Sequence, residues 1–249
     1  MSSAPPQRPA IPEGRARRAA PRVDEPDAKL TPQQRERQLQ RQWWLRVSMV
    51  FFSPRPVFVA LRDESKEALT ARQEPILAIL LLTGIATVLQ TSVAGRLLDD
   101  PELDGLLIVV WALLGGAFYG IASYWIGGTV LYLGTRGASV KKQRKSSAIR
   151  ARHVFGFAMA PIALSLVMWP VRLAIYGSDT FRTGGADTGI GPAAFNGIGI
   201  AFILWSAGLL LYGIHTTYRW TWVRAIGTVL LAVLALLALV ALLIAVRQL

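Results

Sequence analysis

The chain contains no cysteine. Disulfides, thiolate metal sites and a cysteine nucleophile are therefore excluded. Histidine is nearly absent: His153 and His215 stand in different apolar runs, so they cannot form a His-Glu-x-x-His zinc site. No carboxylate interrupts any long apolar run, and no Gly-x-Ser-x-Gly elbow or Ser/His/Asp set is present. No catalytic residue, metal ligand or cofactor site is read from the chain, and the expectation is that it is not an enzyme. The first 30 residues lack the apolar core of a signal peptide. The period-2 alternation of a membrane β-barrel is missing as well.

Long uncharged runs are what the chain has instead. Five stretches carry no charge: Pro75–Gly95, Gly105–Thr135, His153–Val171, Thr188–Tyr218 and Ala225–Val246, of 21, 31, 19, 31 and 22 residues. About 20 apolar residues cross a roughly 30 Å hydrocarbon core as a helix. Backbone polar groups in lipid are satisfied only internally, so such runs become helices. The expected fold is all-α: a polytopic membrane bundle of five transmembrane helices, with spans about 75–95, 106–133, 153–176, 194–216 and 225–246. The mean hydropathy of +0.40 and the 53% hydrophobic content agree.

The net charge of +12 raises the question of nucleic acid. Its distribution answers it. Of the 27 basic residues, 23 lie in residues 1–74, 136–152 and 219–224, all on one side of the spans; only Arg96, Arg172, Arg182 and Arg247 fall on the other. By the positive-inside rule the N-terminus is cytoplasmic and the C-terminus extracytoplasmic, in the plasma (inner) membrane. The charge sets topology, and nucleic acid is excluded as a partner.

Residues 1–30 hold six scattered prolines with mixed charges and read as a disordered cytoplasmic tail. Residues 31–74 read as cytoplasmic amphipathic or interfacial helices, and 75–249 as the membrane domain. Thr31-Pro32 is a helix-start signal. From it Leu39, Trp43, Val47 and Val50/Phe51 recur at helical spacing among Arg35, Arg37, Arg41 and Arg46. This pattern predicts a helix lying in the headgroup region, anchored by Trp43 and Trp44. Ser53-Pro54 starts a second amphipathic helix, expected over Pro54–Leu69 and leading into span one at Glu74-Pro75.

In span two, Gly116, Gly120, Ser123 and Gly127 form one stripe of small residues. Such a face admits another helix closely. It serves either an internal helix contact or self-association into a homo-oligomer. Span three carries Pro161 and Pro170, each removing a backbone donor, and a kink is expected there. Gly177–Pro192 reads as a flexible external loop. Span five reads as an outer, lipid-facing helix. Between spans two and three, Lys141, Lys142, Arg144 and Lys145 face the cytoplasmic leaflet, where each basic residue contributes about 1 kcal/mol toward anionic lipid. The expected partners are thus membrane lipids, anionic lipid included, with a second copy or another membrane protein.

The lead-in Phe51–Glu64, "FFSPRPVFVALRDE", precedes the five spans with Pro54-x-x-x-Phe58-x-x-Leu61. Span three opens on "ARHVFGFAMAPIALSLV" (Ala151–Val167), with Arg152, Gly156, Phe157, Ala158 and Pro161 in place, allowing one residue's slack in register. Over roughly residues 50–246 the chain resembles the bacterial branch of the Yip domain family, whose eukaryotic members interact with Ypt/Rab GTPases. The Asp-Leu-Tyr-Gly-Pro-like motif of those members is absent from the lead-in, so GTPase binding is not carried over. The resemblance implies a non-enzymatic membrane scaffold or organiser, linked in eukaryotes to trafficking and membrane shaping. The alternative reading is a small-molecule permease or accessory subunit of a transporter, motivated by the broken span three, Arg172 and the glycine-rich loop. A water-accessible cavity holding Arg172, Asn196 or Gln90 discriminates the two.

Overall fold

The computed structural model describes residues 31–100, 104–138, 147–184 and 189–247. All regular structure among them is helical. The lead-in helices are α1 (Pro32–Phe52) and α2 (Pro54–Ala60). They are followed by α3 (Lys66–Leu89), α4 (Gly105–Ala138), α5 (Ala148–Ala158), α6 (Ala160–Leu164), α7 (Met168–Tyr176), α8 (Ile190–Tyr218) and α9 (Trp222–Arg247). Four helical segments are long and apolar enough to cross a membrane: Lys66–Leu89, Gly105–Ala138, Ala148–Phe181 and Ile190–Tyr218. A shorter apolar stretch, Trp222–Ala238, forms the first part of α9. Leu106, Leu114, Phe118, Leu204 and Val223 are among many large apolar side chains pointing outward. In water such a surface marks an interaction site or an aggregation liability; in lipid it faces its solvent. The chain is a multi-pass, all-α membrane protein.

Two boundaries differ from the sequence reading. The helix expected over Pro54–Leu69 ends at Ala60, and span one starts at Lys66, nine residues before Pro75. The cause is local side-chain competition for backbone donors. Asp63 Oδ1 accepts from the Ser65 N–H at 2.9 Å, and Ser65 Oγ accepts from the Ala68 N–H at 3.3 Å, capping α3. The helix then runs through Pro75, which is buried inside it.

Span three is broken as its prolines require. α5 ends at Ala158, ahead of Pro161, and a 3-10 turn at Ser165–Val167 precedes α7 with its Pro170. The N–H of Ile162 turns to the Met159 carbonyl at 3.0 Å. That leaves the Ala158 carbonyl free, and Ser206 Oγ of α8 donates to it at 2.5 Å. Thr83 Oγ1 of α3 donates to the Met159 carbonyl at 3.2 Å. Two hydroxyls from neighbouring helices thus serve the carbonyls at the break, as a medium without water demands.

The bundle is built on α3 against α4, its most extensive helix pair; α4 also packs on α5 and α9, and α8 on α5, α6, α2 and α9. The main core lies at the end where α1 and α2 dock. Trp43, Val50, Val57, Phe58 and Leu61 of the lead-in join Leu80, Phe157 and Ile214 there, all nearly or fully buried. A smaller cluster of Ile108, Trp169 and Phe181 closes the other end. The 3-10 turn Gly177–Phe181 belongs to that cluster, so the first part of the expected flexible loop is packed.

Candidate functional sites

The small-residue stripe of α4 faces inward. A Cβ placed on Gly84 of α3 would collide with the Gly116 carbonyl, and one placed on Gly120 with the Leu80 carbonyl. One placed on Gly127 would enter the Phe155 ring of α5. Ser123 turns its hydroxyl to the Tyr119 and Gly120 carbonyls of its own helix. Of the two roles open to the stripe, the internal helix contact is the one on view: at Gly116 and Gly120 the chain's own α3 lies against it, backbone against backbone.

Trp43, expected as an interfacial anchor, packs inside the bundle. It is 2% exposed, tilted against Phe157 at 5.6 Å between ring centres. Arg46 lies over its ring at 4.6 Å and Arg72 at 5.7 Å. It is a core residue holding α1 to the bundle, because the buried face of α1 contains Trp43 and Val50. Trp44, next in sequence, is 47% exposed and lies on the outer face with Leu45 and Phe52. Lys141, Lys142, Arg144 and Lys145, and the tail 1–30, lie outside the described residues.

Polar residues converge at the end of the bundle away from α1 and α2. Gln90 from the end of α3, Ser165 and Arg172 from span three, and Asn196 from α8 line one cavity of about 260 Å³, walled by Trp169 and Phe202. Gln90 Nε2 donates to Ser165 Oγ at 3.4 Å. The Arg172 guanidinium lies 5.3 Å over the Trp169 ring, and its buried Nε has no hydrogen-bond partner among the described residues.

Sequence reasoning missed the inner-end arginines as packed groups. Arg72 is fully buried, and none of its guanidinium nitrogens has a hydrogen-bond partner among the described residues. Arg150 pairs with Glu64 at 3.0 Å, and Arg152 covers the Trp125 ring at 3.9 Å. A signal was present: Ala68, Arg72, Pro75/Ile76 and Ile79 fall at i, i+4, i+7/i+8 and i+11, one helical face. Assigning everything before Pro75 to the cytoplasm hid it. His153 is 7% exposed.

Among the described residues no group of three or more His, Cys, Asp or Glu is placed to hold a metal. A family model for the Yip1 domain matches residues 49–244. No curated protein and no solved structure matches the chain.

Proposed function

The chain belongs to the Yip1 domain family, and from that premise we propose that it acts as a non-enzymatic organiser of the inner membrane, with its N-terminus in the cytoplasm and its C-terminus outside. The observation that carries this reading is the seating of the lead-in helices. The first half of α1 is polar, with Gln and Arg dominating residues 33–42; the second half, from Trp43, is largely apolar. Phe51, near its end, meets Trp205 edge-on at 5.6 Å. Trp205 lies 13 residues before the end of α8, or about 20 Å along a helix. α2 then returns the chain, and Phe58 packs against Tyr212 at 6.3 Å. The pair forms a wedge that enters one leaflet without crossing the other. Leu45 and Phe52, 61% and 86% exposed, point away from the bundle toward lipid.

A wedge in one leaflet gives the protein a larger cross-section there, the shape that biases bilayer curvature. Anionic lipid at the cytoplasmic face, drawn by Lys141, Lys142, Arg144 and Lys145, adds affinity on the same side. A homo-oligomer, if formed, uses the exposed face of α4 around Leu114 and Phe118 in place of the glycine stripe. The test is the size distribution of vesicles reconstituted with the full chain and with a Leu45→Asp/Phe52→Asp variant. The reading expects smaller vesicles with the wild type and a return toward the protein-free size with the variant. Identical distributions for wild type and variant would overturn it.

One observation favours a second reading, a permease or accessory transport subunit. The outer cavity contains Gln90, Arg172 and Asn196 together, and an ionisable group facing the interior of a membrane bundle is by default a candidate substrate contact. Solute flux in proteoliposomes, abolished by Arg172→Gln, supports transport; absence of flux leaves the organiser.

A further inference from the structure

We propose that the inner end of the bundle carries a binding site for a phosphate-bearing anion, built from Arg55, Arg62 and Arg219 around the cleft between α2 and the α8–α9 turn. It deepens the reading that the cytoplasmic face contacts anionic lipid, and it places that contact on residues other than the connector lysines.

The cleft has a volume of about 650 Å³, lined by the three arginines with Tyr212, His215 and Trp220 among others, and among the described residues no carboxylate lines it. Ligand sites usually occupy about 300–1,000 Å³. Each arginine arrives by its own local cause. Arg55 stands in the first turn of α2, and Arg62 stands in the turn just after α2, its N–H donating to the Val59 carbonyl at 3.1 Å. Arg62 is pinned: Nε donates to the Thr217 carbonyl at 3.3 Å and an Nη to the Thr216 carbonyl. These are among the last carbonyls of α8, which have no partner within the helix and favour a cation. Arg219 ends α8 in the left-handed region, with φ of 55°. That conformation costs a non-glycine residue energy. Here it reverses the chain so that Trp220 is buried while the Arg219 side chain stays exposed.

The nearby acids do not neutralise the cleft. Glu64 is paired with Arg150 at 3.0 Å, and Asp63 accepts from the Ser65 N–H at 2.9 Å. Like-charge crowding registers on Arg62. Burial first, then the charges of Arg219, Arg150 and Arg55, hold its guanidinium below the ordinary arginine value. His215 stacks on Trp222 at 4.4 Å and leaves a buried Nδ1 without a hydrogen-bond partner among the described residues. Converging guanidinium groups match phosphate geometry, donating paired N–H bonds to its oxygens. The turn lies at the cytoplasmic end by charge distribution, level with headgroups. The phosphate therefore comes from an anionic phospholipid or from a soluble phosphate compound.

The experiment titrates the detergent-solubilised full chain with short-chain phosphatidic acid, short-chain phosphatidylcholine and inorganic phosphate, reading Kd by thermophoresis. Phosphatidic acid is expected to bind, and phosphatidylcholine is expected to bind far more weakly. Arg55→Gln and Arg219→Gly are each expected to weaken phosphatidic acid by roughly tenfold, the loss of one charge-assisted contact. Arg219→Gly suits the left-handed backbone, so lost binding with an unchanged melting temperature reports the side chain and not the fold. Inorganic phosphate competing at a Kd like that of the lipid also supports the anion site and assigns it to soluble phosphates. Unchanged lipid binding in both arginine variants, with loss in a Lys141→Gln/Lys142→Gln/Arg144→Gln/Lys145→Gln variant, overturns the cleft and leaves anionic-lipid contact standing. No binding of phosphatidic acid or phosphate by the wild type overturns both.

Discussion

Gly84 of α3 and Gly116 of α4 meet backbone to backbone: a single methyl added to Gly84 would collide with the Gly116 carbonyl. No side chain on either helix has room to separate them at this point. Where no hydrophobic force draws helices together, close van der Waals contact of this kind is what holds them.

Gly84→Leu and Gly116→Leu are therefore expected to force α3 and α4 apart. The cost is about 1–3 kcal/mol or more, as for other overpacked cores. It is measured as a fall in melting temperature and in the monodisperse fraction in detergent. Gly208→Ala is the control. Nothing lies within 4 Å of a Cβ at Gly208, and alanine suits a helix better than glycine, so stability should hold or rise.

Because the native chain has no cysteine, single cysteines report packing without background. Cysteine at position 116 or 120 should give no cross-link between copies in native membranes, since α3 fills the stripe. A dimer band at either position would sink that assignment. Cysteine in place of Phe118, 77% exposed on α4, should cross-link if the protein self-associates.

Trp43 and Trp44 are adjacent in sequence and opposite in role. Trp43→Ala should destabilise the bundle by about 3–5 kcal/mol, the usual cost of emptying a buried Trp site. Trp44→Ala should leave stability within about 0.5 kcal/mol. In single-tryptophan variants, brominated lipid should quench Trp44 strongly and Trp43 weakly. Equal quenching would place both in lipid and overturn the buried position of Trp43.

Asp99 ties the outer loops together. Its carboxylate accepts from the Thr183 hydroxyl and from the Thr183 N–H at 2.8 Å. Those bonds, side chain first, hold its carboxyl below the ordinary value, with Arg96 and Arg182 adding to the effect. A carboxyl depressed on folding stabilises above the ordinary carboxylate range, and that contribution is lost as pH falls through the depressed value. Protection of the Thr183 amide from hydrogen exchange, corrected for intrinsic rate, should therefore drop below the ordinary carboxylate range. The drop should be absent in Asp99→Asn.

The outer cavity yields a prediction about access. Asn196→Cys should react with a membrane-impermeant thiosulfonate added from outside, and a bulky product should block the space beside Arg172. Reaction from the cytoplasmic side alone would reverse the orientation.

Much of this fold was legible because hydrocarbon is an unforgiving solvent. Spans two to four follow from uncharged length, and the break in span three from Pro161 and Pro170. The site residues were less legible. Arg72 and Trp43 look like cytoplasmic and interfacial residues because their neighbours are charged. Periodicity placed Trp43 on a helix face, but could not say what covers that face. The converse holds for Gly116 and Gly120: the stripe announced a close contact without naming the partner helix. The Asp63–Ser65 turn that splits the lead-in was hidden within an amphipathic pattern that runs through it.

The sequence by itself determined the solvent, the helical class and the charge asymmetry, because transfer of backbone and charge into lipid is decided residue by residue. The tertiary structure alone decided which helix fills the glycine stripe. It also brought Gln90, Arg172 and Asn196 to one cavity and Arg55, Arg62 and Arg219 to one cleft. These residues lie up to 164 positions apart in sequence, and only the packing of side chains on separate helices fixes their distances.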